Sequence, residues 1–343
     1  MLTIESRLVL NRFMRGLTLF TKYCTFKKII NMLKVEIDRR LKRVLINGKP
    51  YFIKIDTTNQ CDAGCEYCSR DNTAYPLGQM GLDNFKKIID INKDYAFMIA
   101  LHFTGEPLLN DSIYDMINYA HLNKMATYLS SNFQHFRKED ACRIVSSGLD
   151  LLTVSIDGAS QETYRRYRQK GELAGIFQNI QAVINAKREL QASWPRVNLQ
   201  FLVMEHNEHE IAEIKNIAKG LGVDTLEFKP LGLYPVNKYL LPKNPKYVRR
   251  AYRRTGIRRK PCWWLWSSLV VLWNTEVVPC CSPYRKIRRE SCLGSIIKED
   301  IIKIRNSGVP VKLRRQFLEG VMAGQEGCVE CPIPYGNMLG HTV

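Results

Sequence analysis

Three cysteines in the first third of the chain have a spacing that could hold an iron–sulfur cluster. Cys61, Cys65 and Cys68 follow the pattern C-x3-C-x2-C. A [4Fe–4S] cluster usually takes four thiolates, so three thiolates around one cluster leave one iron open to a small-molecule ligand. Gly64 permits the tight backbone bend that such a loop requires. Zinc is the competing interpretation, but zinc ligand sets more often combine two C-x2-C pairs.

Three short motifs follow the triad along the chain. They are Thr104-Gly105-Glu106-Pro107, Ser130-Ser131-Asn132 and Ser155-Ile156-Asp157-Gly158, the last followed by Arg168. Taken alone, Gly-Glu-Pro is a weak signal, and Asn132, Ser155 and Arg168 fit ordinary capping and surface pairing. Together with the cysteine triad, these motifs resemble those of the radical S-adenosylmethionine (SAM) superfamily. The resemblance covers residues 48–232.

The resemblance implies that the triad binds a [4Fe–4S] cluster and that the cysteine loop contributes to the adenine site of SAM. Tyr67 occupies the place of the aromatic residue that precedes the last cysteine in the family. The family holds the amino group of the methionine moiety with the backbone and carboxylate of a G-G-E-P motif. Gly105, Glu106 and Pro107 match that motif, and Thr104 replaces its first glycine.

The remaining motifs imply further contacts with SAM. Ser155 would contact the ribose or the carboxylate, and Arg168 would pair with the methionine carboxylate. An arginine suits this role because its planar guanidinium meets a carboxylate bidentately. Asn132 and Asp157 match the strand-end T-N and S-x-D-G motifs of the family, so both are candidate SAM-binding residues.

A second group of cysteines lies in the last quarter of the chain, within a sequence rich in Trp and Pro. It comprises Cys262, Cys280, Cys281, Cys292, Cys328 and Cys331. This region resembles the SPASM/Twitch extension, which carries auxiliary iron–sulfur clusters, although Thr275 stands where most members have a hairpin glycine. The resemblance assigns four thiolates to one auxiliary [4Fe–4S] cluster, namely those of Cys262, Cys280, Cys328 and Cys331. No cysteine follows them, so we expect one auxiliary cluster, with zinc in the same site as the alternative.

The resemblance also implies a reaction. The first cluster would pass an electron to SAM, the C5′–S bond would break, and a 5′-deoxyadenosyl radical would remove a hydrogen atom from the substrate. The auxiliary cluster would accept an electron in an oxidation or conduct one in a redox-neutral step. Cys281 and Cys292 are the candidate hydrogen donors if the reaction is an epimerisation. A flavodoxin or ferredoxin would be the electron donor.

Strand and helix patterns place these motifs at the ends of successive strands. Six β-rich runs alternate with helical patterns, which predicts an α/β fold with a parallel sheet, open or curved into a barrel. The chemistry of a parallel barrel lies on the loops after its strands, and the resemblance implies a partial (β/α)6 barrel. We divide the chain into a basic amphipathic helical segment (1–47), the barrel (48–232), a basic linker (233–260) and an auxiliary-cluster domain (261–343). Within the last, an apolar strand over residues 263–273 is expected to cover the auxiliary cluster.

Two segments account for the net charge of +18. Residues 1–54 contain 13 Lys and Arg against three acids, and residues 243–260 contain nine and none. Such surfaces attract phosphate or acidic groups, so we expect an anionic substrate: a sugar nucleotide, a lipid-linked sugar or another small metabolite. Residues 3–45 have a helical pattern with Leu10, Phe13, Leu17 and Phe20 on one face. This face could contact a membrane surface peripherally, pack on the body of the protein or dock a partner.

Two other functions are compatible with parts of this sequence. A peptide- or protein-modifying radical SAM maturase is the alternative enzyme, although no leader-binding module is recognisable. A zinc-containing nucleic-acid-binding protein would explain the basic, cysteine-rich composition, but it needs neither the triad spacing nor Gly-Glu-Pro, so no nucleic-acid partner is expected. No apolar run approaches the roughly 20 residues of a membrane span. We therefore expect a cytoplasmic protein, peripheral on the membrane at most.

Overall fold

Six parallel strands form the centre of the molecule. The computed structural model describes residues 16–66, 68, 75–232, 240–248, 262, 264–279 and 292–320. The strands are β1 (Phe52–Ile55), β2 (Met98–Ala100), β3 (Ala126–Ser131), β4 (Leu151–Ser155), β5 (Arg196–Val203) and β6 (Thr225–Pro230). Each pairs in parallel with the next along the chain. The predicted α/β fold with a partial (β/α)6 barrel is therefore confirmed, and its sheet is open, with the order β6-β5-β4-β3-β2-β1-β7-β8.

Helices pack on the outer face of this sheet and in a separate group beside β1. They are α1 (Phe26–Arg40), α2 (Leu82–Asn92), α3 (Ile113–Leu122), α4 (Ala141–Ser146), α5 (Gln161–Arg165), α6 (Leu173–Glu189), α7 (Ile211–Leu221), α8 (Trp264–Ser267), α9 (Ile301–Arg305) and α10 (Gly308–Glu319). Residues along β5 alternate between half-buried and buried, because successive side chains of a strand point to opposite faces. Val197 and Leu199 belong to the apolar core, so Asn198 and Gln200 lie on the opposite, inner face. The inner face of β5 is therefore polar, as a binding site requires.

Two strands from the C-terminal region extend the sheet beyond β1. β7 (Ser268–Val271) pairs in parallel with β1, and β8 (Val277–Val278) pairs antiparallel with β7. The predicted strand over 263–273 is wrong in its first part, since Trp264–Ser267 is a helical turn. The reason is register: β1 begins at Phe52, opposite Ser268, so the preceding residues have no strand to join. Thr275, which stands where the SPASM/Twitch extension usually has a hairpin glycine, adopts a φ of 73° in the β7–β8 hairpin, a left-handed conformation that favours glycine.

The described part of the N-terminal segment forms two helices, where the sequence showed one continuous helical pattern. Residues 16–23 form one helix, and α1 begins after a break at which Thr25 serves as the N-cap. Leu17 and Phe20, the described members of the predicted apolar face, are exposed, whereas Leu19 and Tyr23 are buried. The hydroxyl of Tyr23 donates a 2.7 Å hydrogen bond to Asp150 Oδ1. This buried polar contact sets which face of the helix packs on the barrel.

The N-terminal segment and the C-terminal helices pack together around a second apolar cluster, which contains Val35, Ile46, Trp266, Leu313 and Phe317. Two buried arginines join these segments through backbone carbonyls. Arg305 donates to Gly48 O and Trp266 O, and Arg314 donates to Val44 O and Arg305 O. The described N-terminal and C-terminal segments thus form one packed unit beside β1.

Candidate active site

The cysteine triad lies in the loop that follows β1. Gly64 in this loop has a φ of 59°, which confirms the predicted bend. Cys65 forms an isolated antiparallel bridge with Arg168, and the Cys68 amide donates to Cys65 O at 3.2 Å. The Cys61 and Cys65 thiols lie close enough to Cys68 that a charge on Cys68 raises the pKa of both. The loop therefore brings the three thiols into one neighbourhood.

The electrostatics of these thiols fit a site for positively charged iron. Burial raises the pKa of Cys65 to about 11, although Arg168 opposes the shift, and burial also raises the pKa of Cys61. Metal binding requires deprotonated thiols, and the metal itself supplies the charge that stabilises the thiolates. Among the described residues, no three His, Cys, Asp or Glu side chains are arranged around a single metal ion. A cubane cluster makes a different demand, because each thiolate binds a different iron.

Gly105 lies directly against the backbone of the cysteine loop. A Cβ at this position would lie 2.6 Å from Gln60 O and closer still to Thr58 O, so only glycine fits. The next amide, of Glu106, donates to Gln60 O at 2.7 Å. Thr104, which replaces the family's first glycine, donates through its amide and hydroxyl to the Asp56 carboxylate at 3.0 and 2.9 Å. The Gly-Glu-Pro motif and the cysteine loop are thereby held together.

The Glu106 carboxylate is buried where the ends of β2 and β3 meet. It accepts hydrogen bonds from Ser131 Oγ at 2.7 Å, from the Asn132 amide at 2.7 Å and from the Leu108 amide at 3.1 Å. Burial raises its pKa to about 7, against these hydrogen bonds, which favour the charged form. A cation bound here would stabilise the ionised carboxylate. Glu106 can therefore receive an ammonium group. Glu106 also caps the short 3-10 turn that begins at Pro107.

Asn132 connects the end of β3 to the cysteine loop. Its Nδ2 donates to Asp62 Oδ1 at 2.7 Å and lies 3.8 Å from Cys61 Sγ. Its Oδ1 accepts from the Gln134 amide at 2.8 Å. Asp62 was missed by sequence reasoning, although its position between two cysteines was a usable signal. Tyr67 lies outside the described residues.

Asp157 and Arg168 form a buried ion pair at the end of β4. Arg168 Nε donates to Asp157 Oδ2 at 2.6 Å, and the side chains are 9% and 0% exposed. Burial opposes the charge of Arg168, but Asp157 and Cys65 hold its pKa above the ordinary value. Asp157 also accepts from the Leu202 amide at 2.9 Å. The described contacts of Asp157 therefore position Arg168 beside Cys65. Ser155 is on the inner face, where Gln200 Nε2 lies 3.5 Å from its hydroxyl.

Charged and ionisable side chains that the motifs did not include lie on the inner face. Lys54 Nζ lies 5.5 Å from the centre of the Phe103 ring. Lys229 donates to Gln200 Oε1 and forms an ion pair with Glu227, whose Oε2 lies 3.5 Å from Lys229 Nζ. His102 Nδ1 accepts from the Ser130 amide at 3.1 Å. Burial, followed by the charges of both lysines, lowers the pKa of His102, so its ring is neutral at physiological pH. The sequence contained a signal for Lys54, which lies between the apolar residues Ile53 and Ile55. Successive side chains of a strand point to opposite faces, so Lys54 points inward when both isoleucines face the core.

The C-terminal cysteines are described only in part. Cys262 is buried in the second apolar cluster, and Cys292 packs against that cluster with its Sγ 3.4 Å from Tyr75 Oη. The other members of this cysteine group lie outside the described residues: Cys280, Cys281, Cys328 and Cys331. The structure therefore places Cys262 and Cys292 on the same cluster beside β1.

Comparison with known proteins agrees with this site. Residues 55–218 match the radical SAM superfamily, and residues 262–332 match the SPASM iron–sulfur cluster-binding domain. The chain is 23% identical over 252 residues to the tungsten-containing aldehyde ferredoxin oxidoreductase cofactor-modifying protein of Pyrococcus furiosus, covering 67% of this chain and 70% of that one. It is 27% identical over 180 residues to the AdoMet-dependent heme synthase of Methanosarcina barkeri, covering 52% of this chain and 50% of the synthase. The chain thus spans half the length of that synthase.

A solved structure shows the same fold. SuiB of Streptococcus suis, bound to S-adenosylmethionine, superposes with a TM-score of 0.63 at 12% identity, covering 81% of this chain and 71% of SuiB. The radical SAM domain implies a [4Fe–4S] cluster and SAM, and the SPASM domain implies an auxiliary iron–sulfur cluster. The chain is a radical SAM enzyme with a C-terminal SPASM domain.

Proposed function

We propose that this enzyme abstracts a hydrogen atom from an anionic substrate bound on the inner face of the barrel. The observation that carries the proposal is the group formed by Lys54, Lys229 and the neutral His102. Cations bind phosphate or carboxylate through short, charge-assisted hydrogen bonds. A neutral imidazole adds a hydrogen-bond donor without further repulsion between cations. The substrate would be a sugar nucleotide, a lipid-linked sugar or another small anionic metabolite.

The residues of the chain would bind and orient the cofactors. When bound, the cluster and SAM supply a one-electron reduction that yields a hydrogen-abstracting radical. Cys61, Cys65 and Cys68 would hold the cluster. Glu106 would accept hydrogen bonds from the ammonium group of SAM, and Arg168 would bind its carboxylate. Gly105, Pro107, Asn132, Ser155 and Asp157 would shape and support this site, and Tyr67 would border the adenine.

Deuterium transfer tests the substrate class. Reconstituted enzyme is incubated with SAM, a reductant and deuterated sugar nucleotides or short-chain anionic lipids, and deuterium in 5′-deoxyadenosine is measured by mass spectrometry. Lys54→Met and Lys229→Met should raise the KM for the substrate at least tenfold and leave SAM cleavage without substrate unchanged. Lys219→Met, at an exposed position in the last turn of α7 and outside both basic segments, is the matched control. Transfer from neutral substrates only, or equal effects of all three variants, would refute the proposal.

A peptide- or protein-modifying maturase is the second candidate. The fold similarity to SuiB favours it, since SuiB has also been solved with its precursor peptide SuiA. Deuterated peptides in the same assay distinguish the two functions. The interpretation as a zinc-containing nucleic-acid-binding protein is not retained. The cysteine triad lies within the residues that match the radical SAM superfamily, and the second cysteine group lies within those that match the SPASM iron–sulfur domain.

The redox partners and the outcome of the reaction are further parts of the proposal. We propose flavodoxin or ferredoxin as the electron donor and one auxiliary [4Fe–4S] cluster bound by Cys262, Cys280, Cys328 and Cys331. The reaction would be an oxidation, or an epimerisation with Cys281 or Cys292 as the hydrogen donor. An epimerisation in D2O should place deuterium in the product, because a donor thiol exchanges with solvent. Cys281→Ser and Cys292→Ser identify the donor, and a product without deuterium favours oxidation.

A further inference from the structure

The N-terminal helices present an unusual number of apolar side chains to the outside. Thirteen large hydrophobic residues are exposed in the described part of the chain, and eight of them lie between Leu17 and Leu45. Five of the eight recur along α1 and the residue after it at intervals of four, three, four and four: Phe26, Ile30, Leu33, Ile37 and Leu41. This spacing places them in one stripe of the helix. We call these five residues the apolar stripe.

The opposite face of α1 is buried but mostly polar. It contains Lys28, Asn31, Val35 and Asp38. Asn31 donates to Lys49 O and accepts from the Lys49 amide, both at 2.9 Å. These contacts fix the rotation of the helix about its axis. The apolar stripe therefore faces outward because polar groups hold the other face.

Three further contacts secure the same rotation. Lys28 Nζ donates to Lys124 O. Asp38 Oδ2 accepts from the amides of Asn47 and Gly48 at 2.7 and 2.8 Å. Turning the stripe inward would break these hydrogen bonds and leave buried polar groups without partners, which is costly.

Basic side chains border the apolar stripe. At 100° per residue, Lys27 and Lys34 lie along one side of the stripe and Arg40 along the other. All three are exposed. Two acids lie beside these basic residues: Asp94 forms an ion pair with Lys27, and Glu36 forms ion pairs with Arg39 and Arg40. Four basic residues thus face two acids, and the exposed surface of α1 is an apolar strip whose margins carry a net positive charge.

We propose that α1 and the preceding helical residues 16–23 dock on the surface of a membrane that contains anionic phospholipid. An interfacial helix inserts its apolar face at the acyl boundary while Lys and Arg contact the acidic head groups. No helix in the described ranges is long and apolar enough to span a bilayer, so the helix lies on the surface. A second copy of the chain fits this surface less well, because a symmetric contact would bring the positive margins of both stripes together. The inference is independent of the substrate proposed above.

Vesicle sedimentation with full-length, cluster-loaded protein tests this docking. Vesicles contain phosphatidylcholine alone or equal parts of phosphatidylcholine and phosphatidylglycerol. Wild type should bind the anionic vesicles, and added salt should weaken binding because it screens the basic margins. Phe26→Gln with Leu33→Gln, which removes two side chains that are 77% and 57% exposed, should reduce the partition coefficient at least tenfold. Leu122→Gln with Leu190→Gln, exposed elsewhere, is the matched control and should bind as wild type does.

Three results would overturn the proposal. The first is no binding of wild type to anionic vesicles, and the second is equal binding by the stripe variant. The third is a dimer in lipid-free solution, measured by analytical ultracentrifugation, that the stripe variant abolishes. Circular dichroism and SAM cleavage without substrate check that each variant folds. Lys34→Glu, which keeps every apolar side chain, should also weaken binding to anionic vesicles, and unchanged binding would contradict the role of the basic margin.

Discussion

At the scale of single residues, Gly105 has the most restrictive environment in the active site. The carbonyl oxygens of Thr58 and Gln60 occupy the space that a Cβ would need. Gly105→Ala should therefore displace the cysteine loop and reduce the iron bound by the triad, measured as iron per chain after reconstitution. Gly175→Ala is the matched control, because nothing lies within 4 Å of its Cβ position, and it should load iron normally. Equal iron contents in the two variants would contradict the prediction.

The pair of Asp157 and Arg168 gives a second prediction at this scale. Asp157→Ala leaves the Arg168 guanidinium buried without its partner, and breaking such a pair typically costs about 3–5 kcal/mol. Urea unfolding should show a loss of this size. Asp90→Ala breaks an exposed ion pair with Lys93 and should change stability little. Similar losses in both variants would show that the buried pair is no more important for stability than a surface one.

At the scale of elements, α1 carries a buried lysine whose contribution to the free energy of unfolding depends on pH. Burial lowers the pKa of Lys28 from 10.5 to about 8 in the folded chain. Between these values the unfolded state binds more protons, so folding becomes more favourable as pH rises. The unfavourable contribution of Lys28 is therefore fully present below pH 8 and is relieved towards pH 10.5. Comparison with Lys28→Met isolates the contribution of Lys28. Between pH 7 and pH 10 the free energy of unfolding of wild type should rise by about 2 kcal/mol relative to that of the variant. A constant difference would refute this.

At the scale of the whole molecule, the SPASM region is part of the same sheet as the radical SAM barrel. β7 pairs with β1, and Cys262 lies in the apolar cluster that also contains Val35 and Phe317. With both clusters bound, the chain should contain about eight irons. Cys262→Ala should reduce this to about four and retain SAM cleavage without substrate. The exposed Cys142 provides the control variant Cys142→Ala, and a loss of all iron on replacing Cys262 would contradict separate sites.

The sequence by itself determined the features that depend on short-range spacing. The cysteine triad, the Gly-Glu-Pro motif and the six alternating strands are local patterns, and the structure places them as predicted, because a strand and the loop after it are set by neighbouring residues. Only the tertiary structure decided three other features. Lys54 and Lys229 come near His102 through sheet pairing across the barrel, and β7 joins β1 although more than 200 residues separate them. The outward face of α1 depends on distant polar partners such as Lys124 O. Hydrophobic periodicity shows that a helix has an apolar face. The buried polar contacts of the opposite face decide in which direction the apolar face points.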